Sequence, residues 1–258
     1  KELGKGGMAT VYKAVEQNLD RTVALKVIHP NLLGDEELAN RFMREAQACA
    51  NLYHPHIVKV YNYGEIKGIH FMVMEYLQGL NLYRQVHDHG ALSVPEAENV
   101  LRAMADALQY AHNNSFVHRD VKSSNIIIAE GQRPVLMDFG IAHAAKDSRI
   151  TIKGSLLGTP EYMSPEQANS EPVDHRSDIY SLGVVMYELL TGKLPFTGSS
   201  PPSVIHSITH DPIPELRSPH GELPEYLSGT IRRCLAKNPT ERFQNAGDII
   251  RTLYPDLA

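Results

Sequence analysis

The sequence lacks the features that mark several protein classes. Two cysteines, Cys49 and Cys234, among 258 residues cannot build a disulfide framework, and a reducing compartment is the simpler setting. A net charge of -5 gives no basic field for nucleic acid or an anionic membrane. A spanning helix needs about 20 predominantly apolar residues. The longest apolar stretch, residues 179–190, is interrupted by Ser181, Gly183 and Glu188. No secretory leader is visible, and Lys1-Glu2-Leu3-Gly4 reads as strand interior, so the first strand is expected to begin upstream. Repeats and low-complexity tracts are missing as well. His206 and His210 stand four apart without the glutamate of an HExxH site, and His54-Pro55-His56 reads as a turn, so no transition-metal centre is expected. What remains is an ordinary globular composition, 42% hydrophobic and 21% charged, long enough for a two-lobed unit with a substantial core.

The first third is rich in strand patterns. Gly4-Lys5-Gly6-Gly7-Met8-Ala9-Thr10-Val11 precedes the strand-like run to Val15. Glycines between strands let backbone N–H groups approach phosphate oxygens, although a plain hairpin turn has the same look. In Thr22-Val23-Ala24-Leu25-Lys26-Val27-Ile28, period two puts Ala24, Lys26 and Ile28 on one face and Val23, Leu25 and Val27 on the other. Both faces are largely apolar, so Lys26 needs an anion. A helix is expected over 35–51 with an apolar stripe of Leu38, Phe42, Ala46, Cys49 and Leu52. Glu45 lies on that stripe, and an inward carboxylate is costly unless paired. Pairing Glu45 with Lys26 answers both needs. Strands are expected over 57–61 and 69–74, and the change to helical patterns falls near Gln78-Gly79.

Beyond that boundary, Ser93-Val94-Pro95-Glu96 opens a helix that ends at Asn113-Asn114. Its buried stripe is Ala97, Val100, Leu101, Met104, Ala105, Leu108 and Ala111. The polar loop His118-Arg119-Asp120-Val121-Lys122-Ser123-Ser124-Asn125 follows, then an apolar strand, then Asp138-Phe139-Gly140 at the end of another. Residues 141–163 have no clear period, and a loop of that length is commonly functional. A buried helix over 177–190, a loop over 194–202, and helical segments over 203–209, 224–236 and 245–254 complete the chain.

Taken together these motifs resemble the eukaryotic-type (Hanks-type) Ser/Thr protein kinases, bacterial members most closely, over almost the whole chain. The resemblance rests on Val23-Ala24-Leu25-Lys26, Glu45, His118-Arg119-Asp120 with Asn125, Asp138-Phe139-Gly140, and Gly158-Thr159-Pro160-Glu161-Tyr162-Met163-Ser164-Pro165-Glu166, in the family's order. It implies an α+β bilobal fold: a small strand-rich N-lobe with one key helix over 1–78, and a larger helical C-lobe over 79–258.

It also implies roles. Lys26, held by Glu45, contacts the α- and β-phosphates of ATP; Asn125 and Asp138 hold Mg²⁺, with Mn²⁺ as the alternative ion. Asp120 orients the substrate hydroxyl and takes its proton, while Lys122 neutralises the γ-phosphate. Leu3, Gly4, Lys5, Gly6, Gly7 and Val11 cover the nucleotide, and Val11 and Ala24 sandwich the adenine against Ile127. Met74 resembles the gatekeeper, with Glu75 and Leu77 offering backbone bonds. Lys122 and Thr159 resemble the Ser/Thr branch. Glu166 is expected to pair with Arg242, and Asp178 to bond the backbone of the loop.

The implied partners are ATP, a protein carrying Ser or Thr, and a second copy of the chain for trans-autophosphorylation. The implied setting is cytoplasmic, either free or as the inner part of a membrane-anchored receptor. The alternative is a pseudokinase scaffold, but such proteins usually lack a residue matching Lys26, Asp120 or Asp138, and all three are present. Three departures stand out: Ala9 for the third loop glycine, Ser164 for alanine, and His143 where bacterial relatives commonly carry arginine.

Arg119 before Asp120 implies activation by phosphorylation of the following loop, with Thr151 the first candidate and Ser155 and Ser148 next. A phosphate adds about -1.5 to -2 charge and can pair with such an arginine. Replacing all three hydroxyl residues by alanine is expected to lower activity and leave the loop less ordered; full activity in a phosphosite-mapped preparation would refute this assignment.

Overall fold

The computed structural model describes residues 1–6, 9–29, 46, 49–138 and 160–254. Gly7, Glu45, Phe139, Gly140, His143, Ser148, Thr151, Ser155 and Thr159 lie outside the described residues, as does most of the helix expected over 35–51. Of that helix, Ala46, Cys49 and Ala50 are helical, and Ala46, Cys49 and Leu52 are buried, as the stripe requires.

Five antiparallel strands form the first sheet: β1 (Glu2–Lys5), β2 (Ala9–Glu16), β3 (Arg21–Ile28), β4 (Val60–Ile66) and β5 (Ile69–Glu75), in the order β1-β2-β3-β5-β4. Period two works as the sequence requires in the central strand β3, where Ala24, Lys26 and Ile28 all turn inward and are buried. Register then sets Val11 opposite Lys26 and Ala24 opposite Met74. The β4–β5 hairpin turns on Lys67 and Gly68, both at positive φ (52° and 77°), the left-handed pair that matches strand twist.

One strand begins later than its pattern suggests. The run over 57–61 is expected as strand, yet β4 starts only at Val60. The reason is competition for backbone groups. Val58 N–H donates to Leu136 O at 2.9 Å, and Leu136 N–H donates to His56 O at 2.9 Å. Ile57 therefore forms an isolated parallel bridge to Leu136 instead of a ladder with β5.

A second, three-stranded sheet contains β6 (Leu80–Asn81), β7 (Ile126–Ala129) and β8 (Arg133–Leu136). Its approach to the preceding chain is so close that a Cβ on Gly79 would sit 1.9 Å from Ile128 O. No side chain fits there.

Helices make the rest. α1 (Leu82–His89) is not evident in the sequence pattern, because only Leu82 and Val86 are buried and the remainder is polar. Its signals are at the ends: Asn81 Oδ1 accepts from Arg84 N–H at 2.9 Å, and Gly90 stops it at φ 88°. α2 (Val94–Asn113) starts on the Ser93–Glu96 capping box and buries the whole expected stripe. α3 (Pro165–Ala168) is capped by Ser164, with Gln167 closing the box, so the serine that departs from the family pattern begins a helix.

α4 (Arg176–Thr191) is buried from Ser177 to Leu190. A Cβ on Gly183 would come 2.8 Å from the Cβ of Cys234. That glycine lets α4 lie against α6 (Glu225–Cys234). α5 (Pro201–His210) starts two residues before its expected position because Ser200 and Ser203 close a capping box around Pro201 and Pro202. α7 (Ala246–Leu253) begins on a similar box between Asn245 and Asp248.

One ion pair ties the chain's end to its middle. Arg242, 1% exposed, makes a two-pronged bond to Glu166: Nη1 to Oε1 at 2.7 Å and Nη2 to Oε2 at 2.8 Å. Its other three donors reach Ala236 O, Arg176 O and Lys237 O, so all five guanidinium N–H groups have acceptors. Ser177 Oγ donates to Glu166 Oε1 at 2.5 Å.

Burial pushes the Glu166 carboxyl up, but the bonds from Arg242 and Ser177 outweigh it and hold it below its ordinary 4.5. A depressed carboxyl stabilises the fold above pH 4.5, and that contribution is lost as pH falls through the folded-state value. Arg242→Met leaves the carboxylate buried and unpaired, and urea unfolding at neutral pH should show a loss of about 3–5 kcal/mol. A change within experimental error would mean the pair is dispensable.

Candidate active site

The loop 118–125 is held from beneath by one carboxylate. Asp178, in the first turn of α4 and fully buried, accepts from His118 N–H at 2.8 Å, Arg119 N–H at 2.7 Å and His112 Nε2–H at 2.8 Å. Two bonds to consecutive amides fix the backbone where Arg119 adopts a left-handed φ of 64°, a conformation a non-glycine residue keeps only when its surroundings over-determine it. Gln167 Nε2–H adds a bond to Arg119 O at 2.9 Å.

His118 is buried, and its partners fix its tautomer. Asp120 N–H can only donate, so His118 Nδ1 accepts at 3.2 Å; Met137 O can only accept, so Nε2 carries the proton at 2.9 Å. The ring thereby joins the loop to the residue before Asp138. Met137 N–H donates to Asn125 O at 2.8 Å and strengthens the same joint.

With the backbone fixed below, three side chains gather. Lys122 Nζ lies 3.0 and 2.8 Å from the two carboxylate oxygens of Asp120. Asn125 Nδ2 donates to Asp120 O at 2.9 Å and to Asp120 Oδ2 at 3.1 Å. With both amide protons spent on Asp120, Asn125 Oδ1 remains as a hard oxygen donor of the kind a divalent cation prefers.

A second cluster spans the two sheets. Lys26 Nζ on β3 meets Asp138 Oδ1 at 2.6 Å across 112 residues of sequence. The lysine side chain is 11% exposed and the aspartate 34%. Burial pushes the Asp138 carboxyl up, but attraction and hydrogen bonding from the Lys26 ammonium outweigh it and hold it below its ordinary value. Asp138 also takes a left-handed φ, 54°, so this ion pair anchors a strained residue. Glu45, the partner expected for Lys26, is outside the described residues; among them the anion is Asp138.

The other expected site residues divide by position. Ala24 and Met74 are buried neighbours, Val11 is half-buried opposite Lys26, and Leu77 and Ile127 are half-buried. In the glycine turn, Gly6 N–H donates to Ala9 O at 2.9 Å, while Leu3, Gly4, Lys5 and Gly6 are exposed. Glu75 N–H is already taken by Lys59 O at 2.8 Å, so it has no free amide proton for a ligand. The Glu75 side chain receives Arg133 Nη2–H at 2.7 Å, and Arg133 Nη1–H reaches Pro55 O at 2.7 Å.

Sequence reasoning missed that clasp between β5 and β8, since nothing in the spacing marks Arg133. It also missed His112, although its place four residues after Leu108 on the buried stripe was a usable signal. Among the described residues no group of three or more His, Cys, Asp or Glu could hold a metal.

The chain matches the model for the protein kinase domain over residues 1–254. It is 43% identical to the serine/threonine-protein kinase PknB of Mycobacterium tuberculosis over 254 residues, 96% of this chain and 40% of that protein. With the serine/threonine-protein kinase PrkC of Bacillus subtilis the identity is 39%, covering 96% of this chain and 38% of the relative. The chain therefore spans about two fifths of the length of these relatives. The crystal structure of a mutant form of the Mycobacterium tuberculosis PknI kinase domain superposes with a TM-score of 0.72 at 30% identity, covering 98% of this chain and 94% of that one.

Asp178→Ala strips acceptors from three buried donors at once. Equilibrium unfolding should register a loss of about 3 kcal/mol or more. An unfolding midpoint equal to wild type would show that water or another acceptor replaces the carboxylate.

Proposed function

The chain belongs to the protein kinase domain family, and from that premise we propose that it transfers the γ-phosphate of ATP to Ser or Thr hydroxyls of proteins. The observation that carries this reading is the convergence of Lys26–Asp138 from two sheets with the Asp120–Lys122–Asn125 cluster of one loop. Phosphoryl transfer has a loose transition state, so placed charge supplies most of the catalysis. Lys26 offers an ammonium, on a side chain 11% exposed, to the α- and β-phosphates. Lys122 stands beside Asp120, able to follow negative charge onto the transferring group. Asp120, held by Asn125, is the base that orients the hydroxyl and receives its proton.

Asn125 Oδ1 and the Asp138 carboxylate are hard oxygen donors of the type Mg²⁺ selects, with Mn²⁺ the alternative. The ion would supply neutralisation of phosphate charge, and the depressed Asp138 carboxyl is ionised to receive it. Ala24, Met74, Val11, Leu77 and Ile127 provide the apolar surround for a planar base, and the turn at Gly6 covers the phosphates.

The Arg119 side chain has no ion-pair partner among the described residues, which suits the part of a phosphate receiver for the loop that carries Thr151. A second copy of this chain is the natural first substrate for such a loop. Buried Cys49 and Cys234, which form no disulfide, suit a reducing, cytoplasmic setting. No helix among the described residues is long and apolar enough to cross a membrane.

The scaffold reading is tested in the same experiment. Incubation with ATP and Mg²⁺, followed by mass mapping of phosphosites, should find phosphate on Ser or Thr of the chain or of a basic protein. Asp120→Asn should lower kcat by about 10³-fold or more with ATP binding retained. Absence of transfer by the wild type would favour a scaffold.

A further inference from the structure

Ser123 lies between Lys122 and Asn125 but turns the opposite way. It is fully buried, and its Oγ stands 2.9 Å from Tyr162 Oη, a residue 39 positions away. Tyr162 Oη donates its single proton to Glu188 Oε2 at 2.6 Å, so the Ser123 hydroxyl donates to Tyr162 Oη. Ser181 Oγ on α4 holds the Tyr162 carbonyl at 2.8 Å. A serine at the start of a short turn ordinarily bonds to nearby backbone. Here the hydroxyl is committed to a distant side chain, in a place where burial makes an unmatched polar group costly.

Three segments therefore meet at one buried chain of hydroxyl, phenol and carboxylate: the 3₁₀ turn Ser123–Asn125, the 3₁₀ turn Pro160–Tyr162, and the last turn of α4. The first adjoins and carries the side chains that act on the transferring phosphate. The second follows the stretch over 139–159 and leads through Ser164 into α3. We propose that Ser123 is a positioning residue for phosphoryl transfer, its hydroxyl locking the Lys122–Asn125 turn to Tyr162, and through that phenol to Glu188, so that the loop and the Pro160–Tyr162 turn keep one register. This rests on the kinase reading above.

The geometry separates this role from nucleotide binding. Lys26 and Asp138 approach from the sheets, whereas the Ser123 hydroxyl is directed to Tyr162. Loss of the hydroxyl should loosen the loop that performs the transfer while leaving the nucleotide's apolar surround intact.

The test compares wild type, Ser123→Ala, Ser123→Thr and Tyr162→Phe in steady-state transfer to a Ser/Thr peptide, with folding checked by thermal melting. Ser123→Ala should lower kcat about tenfold with the KM for ATP within about twofold of wild type, the signature of lost positioning. Ser123→Thr keeps the hydroxyl and should restore most of the rate. Tyr162→Phe breaks the link from its other end and should lower kcat in the same way, which keeps the test decisive if Ser123→Ala does not fold. Wild-type kinetics in both Ser123→Ala and Tyr162→Phe, or equal loss in Ser123→Thr and Ser123→Ala, overturns the proposal. An inactive wild type overturns the kinase reading first, and this inference with it.

Discussion

The carboxylate of Asp178 is the constraint on which the site depends. It is fully buried in the first turn of a helix that is core along nearly its whole length. Holding two consecutive amides, it fixes a left-handed residue that would otherwise relax. Everything above follows from that backbone bend: His118 turns to Met137, and Asp120, Lys122 and Asn125 come to one side. The helix core thus does chemistry at one remove, by denying the loop alternatives.

Two ion pairs then relate the first sheet to what lies below it. Lys26–Asp138 is short and largely enclosed, and it places opposite charges where phosphate and metal charge would enter. Glu75–Arg133 joins β5 to β8, its arginine side chain 34% and its glutamate 25% exposed.

Much of this was legible in the residues, for physical reasons that differ by element. The β3 lysine could be read because strict alternation left Lys26 with apolar neighbours on both faces. α2 declared itself through a capping box and a seven-residue stripe. α1 did not, since only two of its side chains are buried and its definition is in its caps. Ile57 misled because apolar alternation cannot say which of two strands will claim a backbone. Arg133 and the Ser123–Tyr162–Glu188 chain depend on contacts between distant segments, which no local pattern encodes. Glu45, expected as a site residue from the helix stripe, and Gly7, expected by resemblance, fall outside the described residues.

The pairing of Glu166 with Arg242 bears on how the chain comes into being. The two are separated by 76 residues, and the arginine is near the end of the matched domain. During synthesis the carboxylate is therefore made well before its counter-ion, and burying it early would carry the full penalty of an unpaired charge. Only when Arg242 has been made does the carboxylate on α3 gain its counter-charge.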